Sequence, residues 1–208
     1  MIKNILFDFG AVLIPIQEER TRKAFKELGA LKSLAQQNDL FQKFERGEIT
    51  SNEFLSALQD FFFRKTIFKN DLAKAWNAVC HEAIPSDNIR LIKSLGKSYK
   101  CFLLSNTNAL HLAKIKEISG RFTFNKFSSS FDGLYFSHEM GTRKPEKSFY
   151  QKVLEEQNLQ AEECLFIDDR EENIEAAEAL GLKTWHFNPE KDDILKVNKQ
   201  LKKLDQTS

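Results

Sequence analysis

The chain has 208 residues, 41% of them hydrophobic and 29% charged, enough for one packed domain or a core with a small second one, and no composition for disorder. Its 31 Lys and Arg against 30 Asp and Glu leave a formal net charge of +1, so no global field draws it to nucleic acid or to an anionic membrane, and any anion must be handled locally. Three cysteines, Cys80, Cys101 and Cys164, without a C-x-x-C spacing argue against a disulfide framework and a structural zinc site, and for a reducing compartment. The apolar start is broken at Asp8, too early for a signal-peptide core or a membrane span, which predicts a cytoplasmic protein.

In chain order, a short apolar run at Ile5-Leu6-Phe7 reads as a buried strand. From Gln17 to Glu82 the pattern turns helical, with no convincing strand. Arg20 to Leu28 places Phe25 and Leu28 on one face and stops at Gly29; Thr50-Ser51-Asn52-Glu53 has the form of a capping box; Asp71 to Val79 carries Leu72, Ala75, Trp76 and Val79. Pro15 and Pro85 flank this insertion as rigid entry and exit points. Most of the 19 phenylalanines, including Phe61, Phe62 and Phe63, are expected in the core.

The remainder alternates. Ser86 is placed to cap a helix through Leu95 that ends at Gly96; Cys101 to Leu104 reads as a strand; Ala109 to Ile118 and Phe149 to Leu154 repeat at helical spacing; Cys164 to Ile167 is a strand, followed by an Ala-rich helix from Asn173 to Leu180 that stops at Gly181. Lys183 to Phe187 is the last strand, and Glu190 to Lys203 a terminal amphipathic helix. Strands alternating with helices imply a parallel α/β sheet covered on both faces.

The strong polar signals fall at the carboxyl ends of these strands, where open α/β sheets hold ligands. Asp8 ends the first, Ser105 and Asn106 the second, Asp168 and Asp169 the third; Lys144 lies in a Gly141-Thr142-Arg143-Lys144-Pro145 loop. Carboxylates, a hydroxyl and a lysine converging from separate segments suit a divalent cation and a phosphate. Taken singly, Ser105 could cap the helix that starts near Asn108, and Asp168-Asp169 could be an acidic helix start. Arg143 could touch substrate or shield the phosphate site. His81, His111, His138 and His186 share no ligand spacing, and the cysteines that open strands read as small core residues.

These residues resemble the four motifs of the haloacid dehalogenase superfamily, in order: Phe7-Asp8-Phe9-Gly10-Ala11-Val12-Leu13, Leu103-Leu104-Ser105-Asn106, Lys144 before Pro145, and Phe166-Ile167-Asp168-Asp169. The resemblance spans nearly the whole chain and implies a Rossmann-like three-layer sandwich of residues 1–15 and 85–208, with an all-helical cap domain at 16–84. It further implies a Mg²⁺-dependent phosphatase acting on a small phosphorylated metabolite such as a sugar phosphate. Asp8 would be the nucleophile, forming an aspartyl phosphate. Asp8, the Gly10 carbonyl and Asp169 would hold Mg²⁺, with Asp168 acting through a coordinated water. Ser105, the Asn106 backbone N–H and Lys144 would bind the phosphoryl oxygens.

One position departs from the usual pattern. Gly10 stands where phosphatases of this superfamily carry a second Asp as acid and base, so a contribution of roughly 10²–10⁴ in rate is absent or comes from elsewhere. The sequence resembles sugar-1-phosphate phosphatases that also have Gly there. Competing readings are a non-catalytic phosphate-binding protein, a 2-haloacid dehalogenase, which the paired acids oppose, and a phosphomutase. Periodicity leaves open which of Gln17, Glu18, Arg20, Arg46 or Trp76 face the cleft.

Overall fold

The computed structural model describes residues 1–30, 38–62 and 67–206. Five strands form one parallel sheet: β1 (Asn4–Phe7), β2 (Lys100–Ser105), β3 (Gly133–Phe136), β4 (Cys164–Asp168) and β5 (Lys183–His186), in the order β3-β2-β1-β4-β5. Leu6 lies opposite both Phe102 and Phe166, so β1 is the centre of the register. Successive side chains point to opposite faces. Ile5, Phe7, Cys101, Leu103, Leu165 and Ile167 pack on one side with helices α5 (Ser86–Leu95), α7 (Arg121–Ser128) and α11 (Val197–Gln206). Leu6, Phe102, Leu104 and Phe166 pack on the other with α9 (Lys147–Glu156) and α10 (Glu171–Glu178). Burial on both faces is why these strands read as unbroken apolar runs, and the result is the three-layer α/β sandwich.

Several local expectations are corrected. β3 was not read from the sequence, and β5 is a half-exposed edge strand rather than a buried one. Ser86 is the first residue of α5, which Pro85 precedes without a side-chain cap. Asn108, not Ser105, caps α6 (Ala109–Ser119), its Oδ1 accepting from the His111 N–H at 3.0 Å. The terminal helix starts later than expected, after a 3₁₀ turn at Ile194–Lys196.

Between β1 and β2 lie α1 (Glu18–Glu27), α2 (Asn38–Glu45), α3 (Ser51–Gln59) and α4 (Lys69–Trp76). Thr50 and Glu53 form the expected capping box on α3. This segment has its own core of Phe25, Phe44, Phe54, Leu58, Phe62 and Trp76, with Phe44 stacked on Phe54 at 4.1 Å between ring centroids. That cluster, with Phe41 and Phe61 packed against it, holds six of the 19 phenylalanines; Phe63 lies outside the described residues. Among the described residues of the segment, the strand-like pairing is confined to one isolated bridge, Ala30 to Phe62. The segment docks on the sandwich where Gly47, at φ +68°, meets the start of α8 (Ser137–Met140): a Cβ there would run into the His138 carbonyl oxygen, so both the conformation and the approach require glycine.

From β1 the chain proceeds to β2 and β3 on one side and returns to β4 and β5 on the other. The crevice beyond the carboxyl ends of β1, β2 and β4 is therefore the topological switch point, the standard ligand position in such sheets.

Candidate active site

Asp8 follows directly on β1, tied to the neighbouring strand by its N–H donating to the Ile167 carbonyl at 2.9 Å. Beyond it the backbone turns sharply, with Leu13 and Ile14 N–H groups both donating to the Phe9 carbonyl and Ala11 held at φ +60°. The Gly10 carbonyl accepts from the Val12 N–H at 2.7 Å inside this turn. Ser105 ends β2, buried, with no hydrogen-bond partner for its hydroxyl among the described residues, and it lines the crevice. Asp168 ends β4 and Asp169 follows it.

Lys144 reaches the centre of this arrangement and is only 1% exposed. Its ammonium donates to Asp8 Oδ1 at 2.5 Å, Asp168 Oδ2 at 2.6 Å and the Leu104 carbonyl at 2.9 Å, so each of its protons has an acceptor. Its backbone is clamped from both sides by Asn106, whose Nδ2 donates to the Lys144 carbonyl at 2.7 Å while its Oδ1 accepts from the Lys144 N–H at 2.8 Å. Sequence reasoning assigned Asn106 only a backbone N–H for phosphate; the structure adds this clamp, which the residue type alone does not announce.

Asp168 is fully buried, and its second oxygen accepts from the Arg170 N–H and from Asn173 Nδ2, each at 2.9 Å. With Lys144 it forms a satisfied buried ion pair. Asp8 and Asp169 are the surplus charges. Burial pushes the Asp8 carboxyl up to about 7, against the pull of Lys144 and with a further push from Asp168, and burial followed by the charge of Asp168 raises Asp169 as well. Carboxylate oxygens of Asp8, Asp168 and Asp169 lie within 4.8 Å of one another. Hard oxygen donors around one lysine, carrying more negative charge than it neutralises, fit a hard divalent cation.

A cavity of about 460 Å³, within the range of small-molecule sites, adjoins this centre, lined by its sequence neighbours Phe9, Gly10, Arg143 and Arg170. Gly10, Ser105 and Asn106 form its floor, and the helical segment its roof. Ion pairs join the two: Arg143 to Glu45 at 2.8 Å, Arg46 to Glu146 at 3.2 Å and Arg170 to Glu18 at 2.5 Å. Arg143 thus lines the cavity and holds a carboxylate of α2. Of the residues whose orientation periodicity left open, Glu18 and Trp76 line the cavity, whereas Arg46 is engaged with Glu146. Helix α2 was missed altogether, though Leu40, Phe41 and Phe44 carry a helical spacing.

His111 and the three cysteines are packed away from the carboxylate cluster. His111 stacks on Trp76 at 4.9 Å, bonds to Asn108 and the Trp76 carbonyl, and is pulled down to about 4 by burial, which keeps it neutral. All three cysteines are unpaired and buried, their thiols pushed up to about 12. Among the described residues no helix is long and apolar enough to cross a membrane.

Comparison with known proteins agrees with this geometry. A D-ribitol-5-phosphate phosphatase of Bacteroides thetaiotaomicron is 30% identical over 195 residues, covering 91% of this chain and 93% of that protein. A haloacid dehalogenase-family enzyme from the same organism, solved with magnesium and inorganic phosphate, superposes with a TM-score of 0.78 at 30% identity, over 92% of this chain and 97% of that one. A haloacid dehalogenase-like hydrolase structure from Porphyromonas gingivalis gives 0.81 at 30% identity, over 97% and 98%. The profile of haloacid dehalogenase-like hydrolases matches residues 2–181, and the chain belongs to that family.

Proposed function

We propose that this hydrolase is a Mg²⁺-dependent phosphatase that cleaves a small phosphorylated metabolite of the sugar or polyol class, with Asp8 as nucleophile. The observation that carries the reading is the surplus carboxylate Asp8, clustered with Asp168 and Asp169 around Lys144 and next in sequence to Phe9 and Gly10 of a cavity whose floor offers the unpartnered Ser105 hydroxyl. Likeness to a ribitol-phosphate phosphatase supports the substrate class. Magnesium is the cofactor. Asp8, Asp169 and the Gly10 carbonyl would hold it, with Asp168 contributing through a water, and it supplies the positive charge that lets carboxylate and phosphate approach.

An Asp8 oxygen forms a bond to phosphorus as the P–O bond to the alcohol breaks, giving an aspartyl phosphate; water then attacks phosphorus, releasing inorganic phosphate and restoring the carboxylate. Ser105, the Asn106 N–H and Lys144 bind the phosphoryl oxygens. The Asn106 clamp fixes where Lys144 emerges, and the Asp168 ion pair keeps its ammonium charged. Residues 16–84 act as a cap over a core of 1–15 and 85–208, excluding water from the reacting groups. The unpaired cysteines support a reducing, cytoplasmic setting, and the near-zero net charge supports a small-molecule partner rather than nucleic acid.

The test is a phosphatase assay over phosphorylated sugars and polyols. EDTA should remove activity and Mg²⁺ restore it, and Asp169→Ala should raise the Mg²⁺ concentration for half-maximal rate at least tenfold. Full activity in EDTA would sink the reading.

Position 10 gives a second prediction. Gly10 is outside the left-handed region, and a Cβ there would approach only the Cδ1 end of Ile16, at 3.0 Å, so Gly10→Asp should fold. The new carboxyl should donate a proton to the leaving group, raising turnover of alkyl phosphates by about tenfold or more and flattening the dependence of rate on leaving-group pKa. An unchanged slope in a folded variant would show that proton transfer does not limit the rate.

A further inference from the structure

The cavity wall is selective in what it leaves unpaired. Its three arginines each meet a glutamate: Arg22 with Glu19 at 2.9 Å, Arg143 with Glu45 at 2.8 Å and Arg170 with Glu18 at 2.5 Å. Among the described residues, no cation lining the cavity stands without a carboxylate partner for a second anionic group, so the part of the substrate beyond the phosphate is matched best when uncharged. Most polar side chains of the wall are committed as well. Asn106 clamps Lys144, His111 has both ring nitrogens engaged, and the Thr21 hydroxyl donates to the Trp76 carbonyl while accepting from the Val79 N–H.

Gln42 differs. It is half-buried, it lines the cavity from α2, and its carboxamide has no hydrogen-bond partner among the described residues. Phe41 beside it and Glu45 three residues on also line the cavity, so one face of α2 is turned to it. A carboxamide offers two donors and an acceptor, and leaving it unmatched against a bound ligand is costly. A hydroxyl both donates and accepts. Phe41 and Ile16 add apolar wall against which C–H groups of a carbon chain can pack.

We infer that Gln42 determines specificity at this site, its carboxamide hydrogen-bonding the hydroxyl groups of an uncharged, polyhydroxylated leaving group. This rests on the phosphatase reading and refines it, because an apolar alcohol of the same length would bury the amide without a partner. Loss of such a bond against a competitor lacking the hydroxyl is worth about tenfold to hundredfold in discrimination.

The experiment measures kcat/KM with Mg²⁺ on a pentitol phosphate, n-pentyl phosphate and p-nitrophenyl phosphate, for the full chain and for Gln42→Leu and Gln42→Ala. The wild type should prefer the pentitol ester over the pentyl ester. Both variants should lower that ratio by about tenfold to hundredfold, chiefly through KM for the pentitol ester. A ratio unchanged in either folded variant, or a wild type that hydrolyses p-nitrophenyl phosphate yet does not prefer the pentitol ester, overturns the role of Gln42 alone. A wild type inert toward all three esters brings down the phosphatase reading and this inference with it.

Discussion

Replacing Asp8 with asparagine is expected to cut turnover by about 10⁴-fold or more while raising the melting temperature of the metal-free protein by a few degrees. The amide keeps the shape and still offers Oδ1 to the Lys144 ammonium, which retains Asp168 and the Leu104 carbonyl as acceptors. What disappears is the proposed nucleophile and a charge held in an unfavourable place. Burial raises the Asp8 carboxyl from 3.8 in the unfolded chain to about 7, so the native state binds its proton more tightly than the unfolded state does. Native stability of the wild type is therefore lost through this group as pH rises from about 4 to about 7, and the deficit is constant above that. Melts in EDTA should show the variant's advantage at pH 8 and its disappearance near pH 4. An asparagine variant within tenfold of wild-type activity would show that Asp8 is not the nucleophile, and a variant less stable at pH 8 would show that its charge is compensated in the native state.

Lys144→Met should be the most damaging single change to the fold. The ammonium serves two carboxylates and a carbonyl in a site where Asp168 has no access to solvent. Removing one partner of a buried pair costs about 3–5 kcal/mol, which for a chain of this size lowers the melting temperature by roughly 6–20 °C. Activity should fall by about 10³-fold or more, since the cation proposed to bind the phosphoryl oxygens is lost with it. Combining it with Asp168→Asn separates the two effects. The double variant should recover part of the stability, because the fully buried Asp168 no longer stands as a charge without its partner and only Asp8 is left without the lysine, while activity stays absent. Losses that simply add would show that the two side chains do not act as a pair.

The parts of this site that chemistry prescribes were legible in the sequence. An Asp after an apolar run, a Ser after a second and paired acids after a third are dictated by residue type and strand position, and all converge at the switch point. The three central strands were legible for a related reason, since burial on both faces leaves few residue types open to them. β3 escaped because Gly133-Leu134-Tyr135-Phe136 is too short for periodicity to tell strand from helix, and the exposure of β5 depends on its place at the sheet edge, which only the topology sets. Ser86 looked like a cap by residue type, yet the helix begins directly after Pro85 with Ser86 inside it. The roof of the site was least legible. Arg143 pairs with Glu45 across 98 positions of sequence and Asn106 clamps Lys144 across 38, and neither contact leaves a local signature. A neutral, stacked His111 likewise follows from its burial against Trp76, not from its neighbours in the chain.

The phosphorylated form of Asp8 is the point on which the mechanism turns, and rapid quenching during turnover of p-nitrophenyl phosphate with Mg²⁺ interrogates it directly. Borohydride reduces an aspartyl phosphate to homoserine, so peptide mass spectrometry after quenching should find homoserine at position 8 in the wild type and none in Asp8→Asn. Steady turnover with Asp8 unmodified at every quench time, or modification at a different carboxylate such as Asp169, would contradict the assignment of Asp8 as the group that accepts the phosphoryl.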